Sequence, residues 1–265
     1  MSQEAAMSNN KRKPVALIIG AGAGIGGHIA RRFAAGGYHS CLCRRSNSEG
    51  LDDAVNDIIR DGGSASGVLI DVTKVGSIER VVEDIENRVG PIEVGVYNLG
   101  AQIGSRTLTD TTHKQFELGW RLGTFGLFRL AQCLLPRMEG RGSGSLLVTS
   151  ATAAVRGDAG QHSHAAAMGG RRMLCQTLNA EFAKKNVHIS HLIIDGPVDA
   201  PDTLGKMMGT ERFSAFKKAR GEHGVISPSA VAETYWHLAH QHPSARSSEI
   251  DIRSKADLPW WNSRL

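Results

Sequence analysis

Short apolar runs alternate with longer stretches of helical periodicity along almost the whole chain. The first run, Val15–Ile19, is followed by four alternating glycines and a helix-compatible stretch at 28–35. A second strand is predicted at 38–43, a helix at 46–60 that stops at Gly62-Gly63, and a third strand at 65–70 ending in Asp71. From 74 to 88 the residues Ile78, Val81, Val82 and Ile85 recur with helical spacing, Gly90-Pro91 breaks the pattern, and 93–97 reads as a fourth strand. Repeated strand–helix alternation predicts a parallel sheet covered by helices on both faces. A long helical region at 111–138 follows, in which Gly123 and Gly126 mark a close approach or a kink. The pattern continues with a strand at 145–149, a polar loop at 156–164, a second long helix at 165–184 and a strand at 187–194. A loop at 195–201 leads into a small helical insert, a lid spanning about 200–222. A helix from Pro228 through Trp236 and a short strand at 248–252 complete a doubly wound sheet of about seven strands. No linker or change of composition divides 14–265, so a single α/β domain is expected after a disordered tail at 1–13.

Composition narrows the picture mainly by exclusion. Lys and Arg total 31 against 26 Asp and Glu in 265 residues, and Lys11, Arg12 and Lys13 supply part of the +5 excess. There is no basic stripe interleaved with aromatic residues, so nucleic acid is not expected as a partner. No apolar run reaches membrane-spanning length and the N-terminal stretch lacks a secretory pattern, which together suggest a cytoplasmic protein away from membranes. The four cysteines, Cys41, Cys43, Cys133 and Cys175, form no close cluster with histidine, so reduced buried thiols are expected and no metal site.

Candidate chemistry begins at Gly20, Gly22, Gly24 and Gly26, which join the first strand to the first helix. Glycines let the backbone turn tightly and approach a ligand, and the helix that follows turns free N–H groups and its dipole toward an anion. A dinucleotide pyrophosphate is held in this way, although a plain tight turn has similar text. No Gly-Lys-Ser/Thr follows, which separates the stretch from the phosphate loop of nucleotide hydrolases. At the end of the second strand, where an acidic residue would bind a free ribose 2′-hydroxyl, the chain has Arg44 and Arg45. Two guanidinium groups suit a 2′-phosphate, so NADP(H) is favoured over NAD(H). Asp71 could accept from an adenine amine or cap its strand, while Asn98, Gly100 and Ala101 would set small residues and backbone against the adenosine ribose.

On these residues the chain resembles the short-chain dehydrogenase/reductase family over nearly all of 14–252. Gly20, Gly24, Ile25 and Gly26 stand in its cofactor loop, Asp71-Val72 in its adenine-contact pair, Asn98-Leu99-Gly100-Ala101 in a departed form of its Asn-Asn-Ala-Gly motif, and Arg44-Arg45 in the basic pair of its NADP-preferring members. The resemblance implies a Rossmann-type fold, oxidoreduction of a small alcohol or carbonyl compound, and a homodimer or homotetramer formed through the long helices near 111–138 and 165–184.

The same resemblance implies a tyrosine that exchanges the substrate proton, a lysine four residues on that lowers its pKa, a serine that steadies the carbonyl, and an asparagine that supports a proton-relay water. Aligned on the pattern Arg172–Leu174–Gln176–Leu178–Glu181, those four positions read His164, Met168, Ala151 and Gly123. A histidine can work as acid or base near neutrality without a lysine. His164, with Ser150 or Thr152, is therefore a candidate replacement, and an incidental loop histidine is the alternative. In an extended strand Ser150 faces away from the Ala151 side, and Thr152 does too unless the strand has ended. Asp195, where the family has proline, would pair with His164 or cap the insert; Gly196 and Val198 would cradle nicotinamide. No Gly-x-Ser-x-Gly surrounds Ser150, so a serine hydrolase is not indicated. Three functions follow: an oxidoreductase with an atypical site, a cofactor-binding pseudoenzyme with a regulatory or structural role, or a scaffold that has lost the dinucleotide.

Overall fold

The computed structural model describes residues 12–102 and 104–262. The tail expected at 1–13 lies outside the described residues except for Arg12 and Lys13, and Arg12 Nη1 donates to the Asn87 carbonyl at 3.0 Å.

Seven parallel strands form one sheet. They are β1 (Val15–Ile19), β2 (His39–Arg44), β3 (Ser64–Leu69), β4 (Ile92–Tyr97), β5 (Gly144–Ala151), β6 (Val187–Ile194) and β7 (Glu249–Ile252), in the spatial order 3-2-1-4-5-6-7. Side chains alternate across each strand, so one apolar run serves two cores. Leu17 and Ile19 face a layer made by α3 (Ser77–Arg88), α5 (Gly126–Arg141) and α6 (His162–Phe182). Ala16 and Ile18 face α1 (Ile25–Ala35), α2 (Ser48–Arg60) and α9 (Pro228–Ala239). Winding reverses between β1 and β4, and in open α/β sheets this reversal leaves a crevice at the strands' carboxyl ends. Parallel pairing of β5 with β6 from Gly144↔Val187 to Ala151↔Ile194 brings both strand ends to the same rim.

The long helical region predicted at 111–138 is α4 (His113–Trp120) and α5 joined by a π turn, Arg121–Phe125. A π turn lifts carbonyls out of the helical ladder and they need other donors. The Tyr97 hydroxyl donates to Leu122 O at 2.5 Å, and Arg171 Nε donates to Gly123 O at 2.7 Å. Gly126 lies under the Tyr97 hydroxyl, where a Cβ would stand 2.2 Å from the oxygen.

Two expectations shift by a few residues with consequences for the site. The loop assigned to 156–164 ends earlier, because α6 begins at His162, and His164 therefore sits in a helical first turn. Strand β5 runs on to Ala151, and Thr152 opens a short 3₁₀ turn, Thr152–Ala154. The lid consists of a π turn, Pro201–Gly205, then α7 (Lys206–Met208) and α8 (Thr210–Arg220). Among the described residues no helix is long and apolar enough to cross a membrane, and no cluster of metal-ligating side chains occurs.

Candidate active site

At the winding reversal a cleft of about 400 Å³ is lined by Gly20, Arg44, Arg45, Asp71, Val72, Asn98 and Gly100, among others. It continues beside the glycine loop into a smaller pocket of about 210 Å³ formed by Gly24, Ile25, Gly26, Val198, Ala200 and Thr203. The glycines are required by close approach. A Cβ on Gly26 would stand 2.3 Å from the Gly20 carbonyl oxygen, and Gly20 itself has φ +98° with Asn98 O 2.8 Å from its hypothetical Cβ. A backbone pressed this close and left bare is suited to a pyrophosphate.

Buried polar groups hold this cleft open. Asn98 Nδ2 donates to Gly20 O at 2.9 Å, and Asn98 Oδ1 accepts from Thr149 Oγ1, which also meets the Tyr235 hydroxyl at 2.5 Å. Asn98 thus works on the glycine loop itself, whereas the sequence had suggested only a small residue against the ribose. Asp71 Oδ1 accepts from the Thr73 backbone N–H at 3.0 Å and hydroxyl at 2.7 Å; these bonds hold its carboxyl below the ordinary value, with Lys74 and Arg45 adding to the effect. Arg129, buried, donates to Val72 O at 2.7 Å and Lys74 O at 3.0 Å and pairs with Glu79, which fixes the Asp71–Lys74 segment against α5.

A second pocket of about 410 Å³ adjoins the cleft through Gln102 and is lined by Ala151, Thr152, Asp158, His164 and Gly196. Of the four positions singled out by alignment, Gly123, Met168 and Ala151 are packed together. A Cβ on Gly123 would stand 2.7 Å from Ala167 Cβ, 3.0 Å from Ala101 Cβ and 3.2 Å from Met168 Cε. Met168 is 1% exposed and clusters with Ala101, Ala167 and Ala151. Ser150 is buried and its hydroxyl donates to Met168 Sδ at 3.7 Å, so it turns away from the pocket and is no partner for His164. Thr152 does reach the pocket, because the strand has already ended.

Asp195 departs from the pairing suggested for it. Its carboxylate accepts from Thr152 Oγ1 at 2.8 Å, Arg253 Nε at 3.2 Å and the Trp260 backbone N–H at 2.9 Å. It therefore fastens the C-terminal segment to the pocket rim and neither meets His164 nor caps the insert. The aromatic Pro259-Trp260-Trp261 stretch is tied down by this contact and by the Arg253 guanidinium over the Trp261 ring.

His164 is half-buried and faces the pocket. Burial holds its imidazole below the usual 6.5, the Arg171 guanidinium pushes it further down, and a hydrogen bond to the Ala101 carbonyl works in the opposite sense. Its Nδ1 is buried without a hydrogen-bond partner among the described residues. No tyrosine substitutes for it. Tyr97 and Tyr235 are fully buried, and burial pushes the Tyr97 phenol up to about 12 and Tyr235 higher still.

All twelve residues expected to face a cofactor line one of these three cavities. Several lining residues were missed, among them two polar ones. Gln102 bridges cleft and pocket, and Thr203 sits beside the glycine loop from the lid's first turn, three residues beyond Ala200. A hydroxyl at the lid entrance was visible in the sequence; its return over Gly24 required the folded π turn.

Comparison with known proteins gives a consistent answer. A family profile described as short chain dehydrogenase matches residues 14–206. The fatty acyl-CoA reductase of Acinetobacter baylyi is 29% identical over 212 residues, 78% of this chain and 71% of the relative. The 3-oxoacyl-(acyl-carrier-protein) reductase of Thermotoga maritima is 26% identical over 89% of this chain and 94% of its own. Among solved structures, a short-chain dehydrogenase from Rhodopseudomonas palustris superposes with a TM-score of 0.76 at 30% identity, covering 91% of this chain and 99% of that one. An alcohol dehydrogenase from Thermococcus sibiricus complexed with 5-hydroxy-NADP superposes with a TM-score of 0.79 at 25% identity over 93% of this chain and 98% of that one.

Proposed function

Because the chain belongs to the short-chain dehydrogenase family, an oxidoreductase family that binds NAD(P), we propose that it prefers NADP(H) and slowly interconverts a small alcohol and carbonyl compound, with His164 meeting the substrate oxygen. The observation that carries this reading is the continuity, through Gln102, between the cleft bearing Arg44 and Arg45 and the pocket bearing His164 and Thr152. Gly20 and Gly26 would let backbone cradle the pyrophosphate, Arg44 and Arg45 would hold the 2′-phosphate, and Thr203 and Val198 would close over the nicotinamide side. The bound nicotinamide supplies the hydride in one direction and accepts it in the other. The A. baylyi and T. maritima relatives, named as a fatty acyl-CoA reductase and a 3-oxoacyl-(acyl-carrier-protein) reductase, support reduction of a carbonyl compound.

The slow rate follows from proton chemistry. A neutral imidazole can donate a hydrogen bond from its ring N–H and polarise a carbonyl oxygen. Taking up an alcohol proton would create an imidazolium that burial and Arg171 both disfavour. General acid–base help typically contributes about 10²–10⁴-fold, and most of that factor would be lost. Titration with NADPH and NADH by fluorescence, followed by an aldehyde, ketone and alcohol panel, tests the reading. NADPH should bind more tightly than NADH, and His164→Ala should reduce turnover; activity unchanged by His164→Ala would remove His164 from the mechanism.

One observation favours a second reading, a cofactor-binding protein without turnover. Met168, Ala151 and Gly123 have packed into an apolar cluster with no room for the ammonium and amide groups the family would place there. Tight NADPH binding with no turnover on the panel would select it. Under either reading the exposed aromatic face of α4 and α5, with Trp120 stacked on Phe125 and Phe128 beside it, supports assembly as a homodimer or homotetramer. Light scattering on the wild type and Trp120→Glu tests it, the substitution being expected to reduce the assembled mass.

A further inference from the structure

His164, Met168 and Arg171 are spaced i, i+4 and i+7 along α6 and so share one face of the helix. Arg171 is 1% exposed, the largest fully buried side chain among the described residues. Its partners are backbone carbonyls from three different elements. Nε donates to Gly123 O in the π turn at 2.7 Å, Nη2 donates to Leu99 O beyond β4 at 2.9 Å, and Nη1 donates to Thr149 O in β5. The guanidinium carbon lies 5.2 Å from the centroid of the Tyr97 ring. None of these partners is a carboxylate.

This contrasts with every other charge that faces the pocket. Asp158, on the loop before α6, pairs with Arg156 at 3.4 Å. Asp195, at the end of β6 behind Thr152, pairs with Arg253 of the C-terminal segment at 3.2 Å. His162 stands at the start of α6, and among the described residues after β4 the neighbours of His164 and the pocket are the Ala101 carbonyl and the Gln102 amide. The carboxylates are matched by their own arginines, so the uncompensated charge beneath the pocket is that of Arg171.

We propose that Arg171 is the positioning residue of this pocket: it clamps the π turn, the β4 exit and the β5 end around His164, and supplies from below the positive charge that the pocket wall lacks. The cation has in effect moved one helical turn inward, from position 168 to position 171. Charge at that depth is poorly screened by solvent. It keeps His164 in its neutral form, ready to hydrogen-bond a substrate oxygen, and the three carbonyl contacts hold Gly123, Leu99 and Thr149 in place beside the junction of cleft and pocket. This inference rests on His164 being the group that meets the substrate, but its test does not need turnover.

The test is an NMR titration of the His164 ring, identified by loss of its resonance in His164→Gln, in wild type, Arg171→Lys and Arg171→Met. The pH profile of any NADP(H)-dependent turnover is recorded alongside. The wild-type ring should titrate below 6.5. Arg171→Lys should keep it low, and Arg171→Met should raise the midpoint by about half a unit or more, with the acid limb of the activity profile moving the same way. A purely structural arginine would lower the melting temperature in both variants and leave the midpoint where it was, which overturns the proposal. If Arg171→Met does not fold, a wild-type midpoint at or above 6.5, or a rise in Arg171→Lys, overturns it equally. Absence of turnover with the expected midpoints would sink only the enzymatic reading.

Discussion

Two buried arginines divide the molecule into regions that obey different rules. Arg129, beneath the cofactor cleft, is paired with Glu79 and holds two carbonyls of the Val72–Lys74 segment. Arg171, beneath the reaction pocket, holds three carbonyls and has no acid among its hydrogen-bond partners. Around Arg129 the polar groups are matched and the cleft wall is left open, with bare glycine backbone and strand-end arginines facing the cavity. Around Arg171 the surroundings are apolar: Met168, Ala101 and Ala167 fill the volume, and Gly123 lets them approach. Desolvated charges tolerate burial when paired or hydrogen-bonded and become costly when they are not. The contrast separates a cleft lined by bare glycine backbone and strand-end arginines from an apolar cluster packed around Gly123 and Met168.

The most severe way to break the first region is Gly26→Val. Its Cβ would lie 2.3 Å from the Gly20 oxygen and 2.9 Å from Asn98 Nδ2, so the loop must move. Overpacking of this kind costs about 1–3 kcal/mol or more, and NADPH binding measured by fluorescence should disappear. Retained binding would show that the glycine loop is not the phosphate cradle.

Met168→Lys probes the second region. Restoring the ammonium alone places it in a dry cluster, where a buried lysine loses about 3–5 pKa units. Stability in urea should fall by roughly 3 kcal/mol, with no gain in turnover. A tenfold gain would show that the pocket is open to the old chemistry and that the packing argument is wrong.

Acid should destabilise the fold through its buried histidines. Burial is the first cause holding His191, His188 and His164 below 6.5, and His191 is pulled to about 4 despite the nearby Glu249. Below pH 6.5 the unfolded chain therefore binds protons that the folded chain refuses, and folding stability falls as pH drops from about 6.5 toward 4. His191 alone contributes about 3 kcal/mol to that loss at the acid end. His191→Asn should flatten the curve in this window. Glu249, held low chiefly by its bond to Arg172, adds a further loss only below about pH 4.5, where its unfolded carboxyl begins to protonate.

The mildest expected change sharpens cofactor choice. Arg44→Ala or Arg45→Ala should weaken NADPH by about tenfold, one charge-assisted hydrogen bond of roughly 1.5 kcal/mol, while NADH affinity stays within twofold. Equal weakening of both cofactors would mean that these arginines shape the cleft without reading the 2′-phosphate.

Legibility follows the same division. The cofactor side could be read because each of its requirements is local. A strand, a turn too tight for a side chain and a helix start lie within a dozen residues, and Arg44, Asp71 and Asn98 each close a strand whose apolar run identifies it. The pocket side was legible only as departures from the family pattern at 123, 151, 164 and 168. That Ser150 turns toward Met168, that Thr152 reaches the pocket because β5 has ended, and that Asp195 serves the C-terminal segment are consequences of contacts between positions 18 to 65 residues apart.

By itself, the sequence determined the alternation of strand and helix, a parallel sheet covered on both faces, the glycine loop between the first strand and helix, and the absence of tyrosine and lysine from the entrance of α6. These follow from periodicity and residue identity, which act over a few residues. Only the tertiary structure decided that Met168, Ala101 and Ala167 close around Gly123, that Arg171 holds three backbone carbonyls beside them, and that burial and Arg171 push the His164 imidazole below its usual value. Burial and hydrogen-bond partners belong to the meeting of β4, β5, the π turn and α6, and no single stretch of the chain carries that information.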